Sequence, residues 1–404
     1  MKNRIAIQKI LNEDIKTAVF SALDLINAEE LMKEEGMTIL LKPNVLMSKP
    51  PERAATTHPE IVRAVIQWVK QFNPKQIYVC DSAGTQRVGA TDQALIGSGI
   101  KAVCDEEGAE CIPFEKTERK IYEVNDPLEI KEITSSKLIE EADLIINIPK
   151  IKTHGQCMLT CCIKNMFGTV LLGNKAKVHA QAAILNHFTA ALTDIYSVSN
   201  PQLTIIDGYL CQEGQGPSKG DVVKMDLILA GYDGVALDTV VCRIIDFDPK
   251  DVLYLAKAEQ KNLGTMNLEE IEILGENIED VFRKFKPPRI HLVSAPLPRW
   301  LADYMGKTIF KATVKFKSDK CKLCSTCWDN CPVQAISPPK ELKKGNIPIW
   351  DKKKCITCYC CAELCPHEAV DFKMSFVKNA LTSWIGIGLI SVIIIIILLL
   401  IILI

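Results

Sequence analysis

Two stretches of the chain share one pattern: CKLCSTCWDNCP at residues 321–332 and CITCYCCAELCP at residues 355–366. Cys321, Cys324, Cys327 and Cys331 are spaced C-x2-C-x2-C-x3-C ahead of Pro332, and Cys355, Cys358, Cys361 and Cys365 repeat that spacing ahead of Pro366. Thiolates separated by two residues curl round one face of an iron–sulfur cubane, while the cysteine before the proline is turned away from it. A pair of four-thiolate zinc sites is the competing reading. Zinc ribbons set two CxxC knuckles apart and give no reason for an x3-C-P ending, so the pattern points to two 4Fe-4S clusters. Cys360 stands outside the spacing once Cys361 is taken as the ligand.

The spacing resembles that of bacterial two-cluster ferredoxins, where the fourth cysteine of each run ligates the cluster of the other. The resemblance implies one cluster on Cys321, Cys324, Cys327 and Cys365 and a second on Cys355, Cys358, Cys361 and Cys331. Each crossing ligand would staple one half of the module to the other.

A small α+β module at 318–374 leaves most of the 404 residues for other domains. The formal net charge of −1 argues against a nucleic-acid binder. The N-terminal MKNRIAIQKILNED has no apolar run of signal-peptide length and no twin-arginine pair, so the 17 cysteines are expected in a reducing cytosol, as cluster ligands and free thiols. Residues 384–404, WIGIGLISVIIIIILLLIILI, are uncharged. At about 1.5 Å per residue such a segment spans a hydrocarbon layer of about 30 Å, and a transmembrane helix is expected there, joined by a short linker at 375–383. Lys373 and Lys378 precede it, which places the other domains on the cytoplasmic face of the cell membrane.

Residues 1–282 alternate short apolar runs with helical patterns. Arg4–Gln8, Met37–Leu41, 76–81, 142–149, 202–207 and 225–230 read as strands, and Asp14–Ile26, Cys157–Phe167, Ala180–Ser199 and Gly234–Ile245 as helices. Thr57 and Glu60 make a capping box ahead of IVRAVIQWV. The alternation predicts an α/β domain with a mostly parallel, layered sheet.

In such sheets ligands bind where the loops after the strands converge. Those loops are KPN after Leu41, SAG after Asp81, PKIKTHG after Ile148 and DGYLCQEGQGPSKG after Ile206. Lys42, Lys150, Lys152, His154, Lys164 and Lys219 give the rim a positive character, and Gly214, Gly216 and Gly220 would let backbone N–H groups approach an anion. A small anionic ligand, carboxylate or phosphate, is therefore expected. No GxGxxG follows the first strand and no GxxxxGK[ST] occurs, so neither a nicotinamide fingerprint nor a P-loop is present. Asp81 and Asp207, which close apolar strands, could orient a lysine or bind a metal; solvated lysines at strand ends, His58 as a helix-entry residue, and Asp81 and Asp207 as turn formers are the plainer alternatives. Cys157 and Cys161, one helical turn apart, could share a metal with His154; buried packing is the preferred reading for these cysteines.

Taken together, LLKPNVL, THPEIVRAVI, CDSAG, NIPKIKTHGQCMLTCCIKNMFGTV, IIDGYLCQEGQGPSKG and LILAGYDGVALDTVVCRIIDFDP resemble the domain of unknown function 362, over about residues 37–260. The resemblance implies an α/β domain whose site carries Lys42, Asn44, Lys150, Lys152, His154, Lys164, Asn165 and Asp207, with Gly214, Gly216 and Pro217 in a loop. It brings no reaction with it. Cys161 and Cys162 stand where relatives tend to have small residues, and Asp238 is a further member of the site or a hydrogen bonder inside its helix.

Residues 283–317 form a basic linker, and from Arg283 to Lys320 ten residues are Lys or Arg and two are acidic. Trp300, Leu301, Tyr304 and Met305 fit an amphipathic helix against anionic headgroups or against the α/β domain. Three functions stay open: an iron–sulfur oxidoreductase acting on the anion, an electron carrier whose α/β domain docks a partner redox enzyme, and an iron–sulfur structural or sensing protein.

Overall fold

The computed structural model describes residues 3–85, 87–182, 185–288 and 312–373. The apolar segment 384–404, the 375–383 linker and the helix placed around Trp300 lie outside the described residues. Among the described residues no helix is long and apolar enough to cross a membrane. The chain divides into two compact units, Met1–His291 and Leu292–Ile404.

The strands of the first unit are β1 (Arg4–Lys9), β2 (Thr38–Pro43), β3 (Gln76–Val79), β4 (Glu110–Cys111), the β5–β6 hairpin (Arg119–Glu123 with Glu132–Ser136), β7 (Leu144–Ile148), β8 (Lys150–His154), β9 (Met158–Thr160), β10 (Leu203–Glu213), β11 (Asp221–Gly231) and β12 (Glu272–Gly275). Ten of them form one sheet in the order β12-β1-β11-β10-β7-β2-β3-β4, with β8 and β9 attached to β10. From β10 through β7, β2 and β3 to β4 the pairing is parallel, whereas β11 runs antiparallel to both β10 and β1. The result is a mixed α/β fold with a largely parallel sheet.

The central strands are near-continuous apolar runs because both faces are covered. Ile39, Leu41, Val79, Ile146 and Ile148 face one core, filled by Val62, Val65, Ile66 and Val69 of the helix Pro59–Lys70. Leu40, Ile145 and Ile206 belong to the other, with Phe188, Leu192 and Ile195 of the helix Leu185–Ser199 and Val240 and Val241 of Gly234–Ile244. The period of two along each strand thus divides the side chains between two helical layers.

Two local expectations are corrected. The helix after β2 is capped by His58, whose Nδ1 accepts from the Glu60 N–H at 3.3 Å, with Pro59 in the first turn. Thr57 instead uses its hydroxyl to accept from Asn44 N–H (2.8 Å) and donate to the Ile148 carbonyl (2.7 Å), tying β2 to β7. Cys157–Phe167 is not one helix: β9 pairs back on β8 (Lys152 with Thr160, His154 with Met158), and a short helix, Cys162–Asn165, follows. It begins there because Asp238 accepts from the N–H groups of Cys162 (2.7 Å) and Ile163 (3.2 Å), supplying the orphan amides of its first turn.

The second unit is a duplicated fold. Short helices at Thr326–Asp329 and Cys360–Glu363 follow cysteines in equivalent positions. Positive φ angles recur at matching places, Leu323 (51°) with Thr357 (58°), Ser325 (66°) with Tyr359 (63°) and Gln334 (50°) with Glu368 (52°). Non-glycine residues seldom adopt this region, so the shared sites show one backbone path used twice. Strands β13 (Thr313–Phe316) and β16 (Val370–Lys373) pair antiparallel, as do β14 (Ile336–Ser337) and β15 (Ile349–Trp350). Thr313–Phe316 fell within the stretch read as linker; its pairing with β16 makes it part of this unit.

Candidate functional site

In the second unit left-handed residues recur between the cysteines of each loop and bend its backbone. Cys331, Cys355, Cys358, Cys360 and Cys361 line one cavity, together with Val314, Ile336 and Phe372. Burial raises the Cys327 thiol to about 12, and Cys365, Cys324 and Cys321 stand close enough to add to the shift. Burial likewise raises Cys361, with Cys358, Cys355, Cys327 and Cys331 adding to it. Metal binding removes such protons outright. Backbone N–H groups aim at three of the sulfurs: Ala335 at Cys331 (3.1 Å), Thr357 at Cys355 (3.4 Å) and Ala369 at Cys365 (3.3 Å). Donors of this kind tune iron–sulfur potentials. A thiol set in an apolar shell with N–H···S bonds fits iron–sulfur clusters. Cys360 points its sulfur at the Cys358 carbonyl (3.8 Å), and Thr326 holds the equivalent place in the first cassette.

In the α/β domain the structure gathers the lysines but buries them. PKIKTH is not a turn at an exposed rim; it is strand β8, and Lys150, Lys152 and His154 are 0, 1 and 2 % exposed. Lys150 lies beside Asp207 on neighbouring parallel strands and binds it at 2.5 Å. Asp207 also accepts from the N–H groups of His58 (2.7 Å) and Tyr209 (3.1 Å), so this pair fixes the entry of the Pro59–Lys70 helix. Lys42, fully buried, binds Asp81 at 2.7 Å, and Asp81 further accepts from Val45 N–H (2.6 Å) and Ser82 N–H (2.8 Å). Burial lowers the Lys42 pKa while Asp81 opposes the shift.

Asn165 joins the lysines. Its Oδ1 accepts from Lys42 (3.3 Å) and from Asn44 Nδ2 (3.0 Å), and its Nδ2 donates to Asn147 Oδ1 at 2.7 Å. Lys152 donates to Asn44 Oδ1 and to the Ala55 carbonyl, each at 2.7 Å. Its ammonium is pushed well below the ordinary value by burial, then by Lys164 and Lys150. His154 Nδ1 accepts from the N–H groups of Gln156 and Cys157 at 3.1 Å, so it shapes the β8–β9 turn; burial and Lys164 hold the ring neutral. Lys164 is half-buried, with its ammonium 6.0 Å over the Phe167 ring.

In the β10–β11 connection, Gly214 and Gly216 serve the packing of the loop. Gly214 has φ +74° and donates its N–H to the Lys286 carbonyl at 2.8 Å. A Cβ on Gly216 would sit 2.0 Å from the Thr153 carbonyl oxygen, so glycine there lets the loop carrying Pro217, Lys219 and Gly220 pack on β8.

Two site members escape the sequence reading. Lys175, in the helix Leu172–Gln181, is 7 % exposed and donates to the carbonyls of Ser82 and Ala83, the latter at 3.0 Å. Burial pushes it down to about 8. Nothing in the sequence separates it from exposed Lys177. A Cβ on Gly168 would lie 2.1 Å from Asp81 Oδ1 and 2.5 Å from Lys42 Nζ, so Gly168 makes room for that ion pair. Its only signal is its place in NMFGTV.

The metal-type donors that do converge in this domain are Cys161, Cys162 and Asp238, all buried and within 4.8 Å of one another, rather than His154, Cys157 and Cys161. Burial raises Asp238 to about 6, and both its oxygens already hold the Cys162–Asn165 helix.

This fold and site define a class. The family model described as "Domain of unknown function (DUF362)" matches residues 39–243, and that of the 4Fe-4S dicluster domain matches 320–369. The chain belongs to the DUF362 family and carries an iron–sulfur, ferredoxin-like domain of the electron-carrier kind. Among curated relatives, the thylakoid-associated protein sll1697 of Synechocystis sp. is 32% identical over 268 residues, 66% of this chain and 81% of that protein. Among solved structures, the lactate racemase apoprotein of Thermoanaerobacterium thermosaccharolyticum matches with 12% identity and a TM-score of 0.32, over 57% of this chain and 54% of that one. A Thermotoga maritima protein matches with 13% identity and a TM-score of 0.37, over 63% and 59%. This chain thus spans less than two thirds of each of those solved chains.

Proposed function

We propose that the chain is a membrane-anchored iron–sulfur oxidoreductase, in which two 4Fe-4S clusters exchange electrons with a small anionic substrate or cofactor held by the buried lysines. Cys321, Cys324, Cys327 and Cys365 bind one cluster; Cys355, Cys358, Cys361 and Cys331 bind the other. The clusters supply one-electron transfer. The chain's own residues do the rest: Asn165 and Asn44 hold Lys42 and Lys152 in place, Asp81 and Asp207 pair with Lys42 and Lys150, and Lys152, Lys164 and Lys175 attract the anion. The segment 384–404 anchors the protein, with its other domains on the cytoplasmic face, where a redox partner exchanges electrons with the clusters. The thylakoid association of the Synechocystis relative supports a membrane setting.

The observation that carries this reading is the presence, on one chain with a double cluster cassette, of a buried network in which lysines outnumber carboxylates. The test is anaerobic purification of the full chain and of Lys152→Met, with electron paramagnetic resonance of the clusters and mass spectrometry of co-purifying small molecules. The expected result is intact clusters in both proteins and an anion that only the unmutated one retains. Reducible clusters with no retained anion and no turnover would refute the oxidoreductase reading in favour of a carrier that docks a partner enzyme.

A further inference from the structure

The two halves of the ferredoxin-like unit share one hydrogen-bond scheme. Ala335 N–H points at Cys331 Sγ (3.1 Å) and Ala369 N–H at Cys365 Sγ (3.3 Å). Asp351 N–H donates to the Ala335 carbonyl and Lys317 N–H to that of Ala369, each at 2.8 Å. Cys355 N–H then donates to the Asp351 carbonyl (3.2 Å) and Cys321 N–H to that of Lys317 (2.9 Å). The charges laid on this scheme are not duplicated. In segments 313–320 and 366–373, Lys315, Lys317, Lys320 and Lys373 stand against Asp319, Glu368 and Asp371, and Lys317 pairs with Asp371 at 2.5 Å. The equivalent stretch 338–354 carries Lys340, Lys343, Lys344, Lys352, Lys353 and Lys354 against Glu341 and Asp351. All six lysines are exposed, and Lys340, Lys343 and Lys344 make no ion pair among the described residues.

The loop 338–348 joins β14 to β15. The strands equivalent to them, β16 and β13, follow the second cassette and precede the first, so no such loop joins that pair. The loop is ordered: Lys343 N–H and Asn346 Nδ2 donate to the Glu341 carbonyl and Asn346 N–H to that of Lys343, each at 3.0 Å. Its lysines alternate with apolar side chains left in solvent, Leu342 at 72 %, Ile347 at 41 % and Ile349 at 50 % exposure. Apolar contact area among charges of one sign suits a transient protein interface, in which the charges steer encounter and set the partner's sign. Both ends of the hairpin are tied to cysteines of one cluster, Ala335 to Cys331 and Asp351 to Cys355. A lipid headgroup would neutralise the lysines but accepts no electron from that cluster.

We propose that the β14–β15 hairpin is the docking surface for an acidic one-electron carrier protein, which exchanges electrons with the cluster on Cys331, Cys355, Cys358 and Cys361. The inference rests on the iron–sulfur electron-transfer reading above and goes further in naming the surface and the charge of the partner. With a flavodoxin as the carrier the balance is direct. One electron leaves the reduced cluster and enters the oxidised flavin, which takes one proton from solvent as it becomes the neutral semiquinone. No bond forms between the two proteins.

The full chain in detergent, with its clusters reduced, is mixed in a stopped-flow instrument with oxidised flavodoxin as the acidic carrier or with cytochrome c as a basic one, at ionic strengths from about 0.02 to 0.5 M. Transfer to flavodoxin should slow by about tenfold or more across that range, and transfer to cytochrome c should not slow. At low salt Lys343→Gln with Lys344→Gln should slow the flavodoxin reaction by about fivefold or more, with the cluster paramagnetic resonance unchanged. Lys315→Gln with Lys320→Gln, the exposed lysines of the equivalent segment, should change it by less than about twofold. Reducible clusters whose transfer to flavodoxin ignores salt, or is slowed equally by both double variants, overturn the docking surface and leave the electron-transfer reading standing. Clusters that accept no electron overturn both. Trypsin supplies a readout that needs no variant: at low salt flavodoxin should shield Lys343 and Lys344 of the unmutated chain from cleavage. Cleavage unchanged by flavodoxin, or blocked instead only in phosphatidylglycerol nanodiscs and not in phosphatidylcholine ones, overturns the proposal, the second result assigning the lysines to a lipid surface.

Discussion

Replacing Gly168 by alanine probes the packing of the lysine network at its tightest point. The new methyl would lie 2.1 Å from Asp81 Oδ1, 2.5 Å from Lys42 Nζ and 2.9 Å from Lys42 Cε, where side-chain carbons essentially never come within 3.0 Å. Asp81 must therefore retreat by about 1 Å. It is 2 % exposed and anchored by the N–H groups of Val45 and Ser82, so the retreat sacrifices its 2.7 Å contact with Lys42 or one of those bonds. Lys42 cannot swing to water, being fully buried. Breaking a buried ion pair from one side costs about 3–5 kcal/mol. Urea unfolding followed by circular dichroism, with cluster absorbance recorded in parallel, measures the loss. Gly155→Ala is the matched control, since a methyl there meets nothing within 4 Å; it should change stability by no more than about 0.5 kcal/mol. A Gly168→Ala protein as stable as this control would show that the lysine network can relax, and the account of Lys42 and Asp81 as a rigid pair would fall.

Further outcomes are expected. Cys331→Ala should remove the second cluster and about half of the iron, whereas Cys360→Ala should retain both clusters; iron analysis with electron paramagnetic resonance distinguishes them. Lys175 falls from an ordinary 10.5 to about 8 in the folded chain. Between those values the unfolded chain binds more protons, so this lysine makes the ligand-free protein gain stability as pH rises from about 8, with a slope of at most about 1.4 kcal/mol per pH unit. Lys175→Met should lack that component in urea titrations across the range. Ending the chain after residue 383 should move the protein from the membrane pellet to the soluble fraction; a truncated protein that still sediments with membranes refutes anchoring by 384–404 alone.

The parts of this molecule legible in the sequence are those governed by local rules. The cassette spacing is set by which sulfurs can reach one metal cluster, and the central strands read as apolar runs because both faces are buried. Asp81 and Asp207, weighed as lysine partners or turn formers, are indeed bound to Lys42 and Lys150. The failures lie where long-range packing overrides local preference. The residues PKIKTH read as a polar turn because lysine and histidine are rarely buried, yet β8 is held between β10 and β9 by a ladder that no local pattern announces. Thr57 has the right spacing for a capping box, but its hydroxyl is drawn to β7, and His58 takes the cap because Pro59 fixes the next residue in a helical φ.

Strand β8 also argues for what the domain has been shaped to do. A segment reading Lys-Ile-Lys-Thr-His, buried at every position, forgoes the apolar packing that β7 achieves with Leu-Ile-Ile-Asn-Ile directly before it. The ion pair of Lys150 with Asp207 offsets part of that cost, and Lys152 has only two neutral oxygens to offset the rest. Replacing a buried charge of this kind by a well-packed apolar side chain is often neutral or stabilising. Departures from the stability optimum of this sort concentrate at functional sites. Lys152→Met should therefore leave the empty protein at least as resistant to heat as the unmutated chain while abolishing the stabilisation that a bound anion confers through mass action. Comparing melting temperatures with and without sulfate separates the two contributions. If the variant instead melts much lower in the absence of anion, Lys152 is part of the scaffold, and the lysine cluster loses its claim to be a binding site.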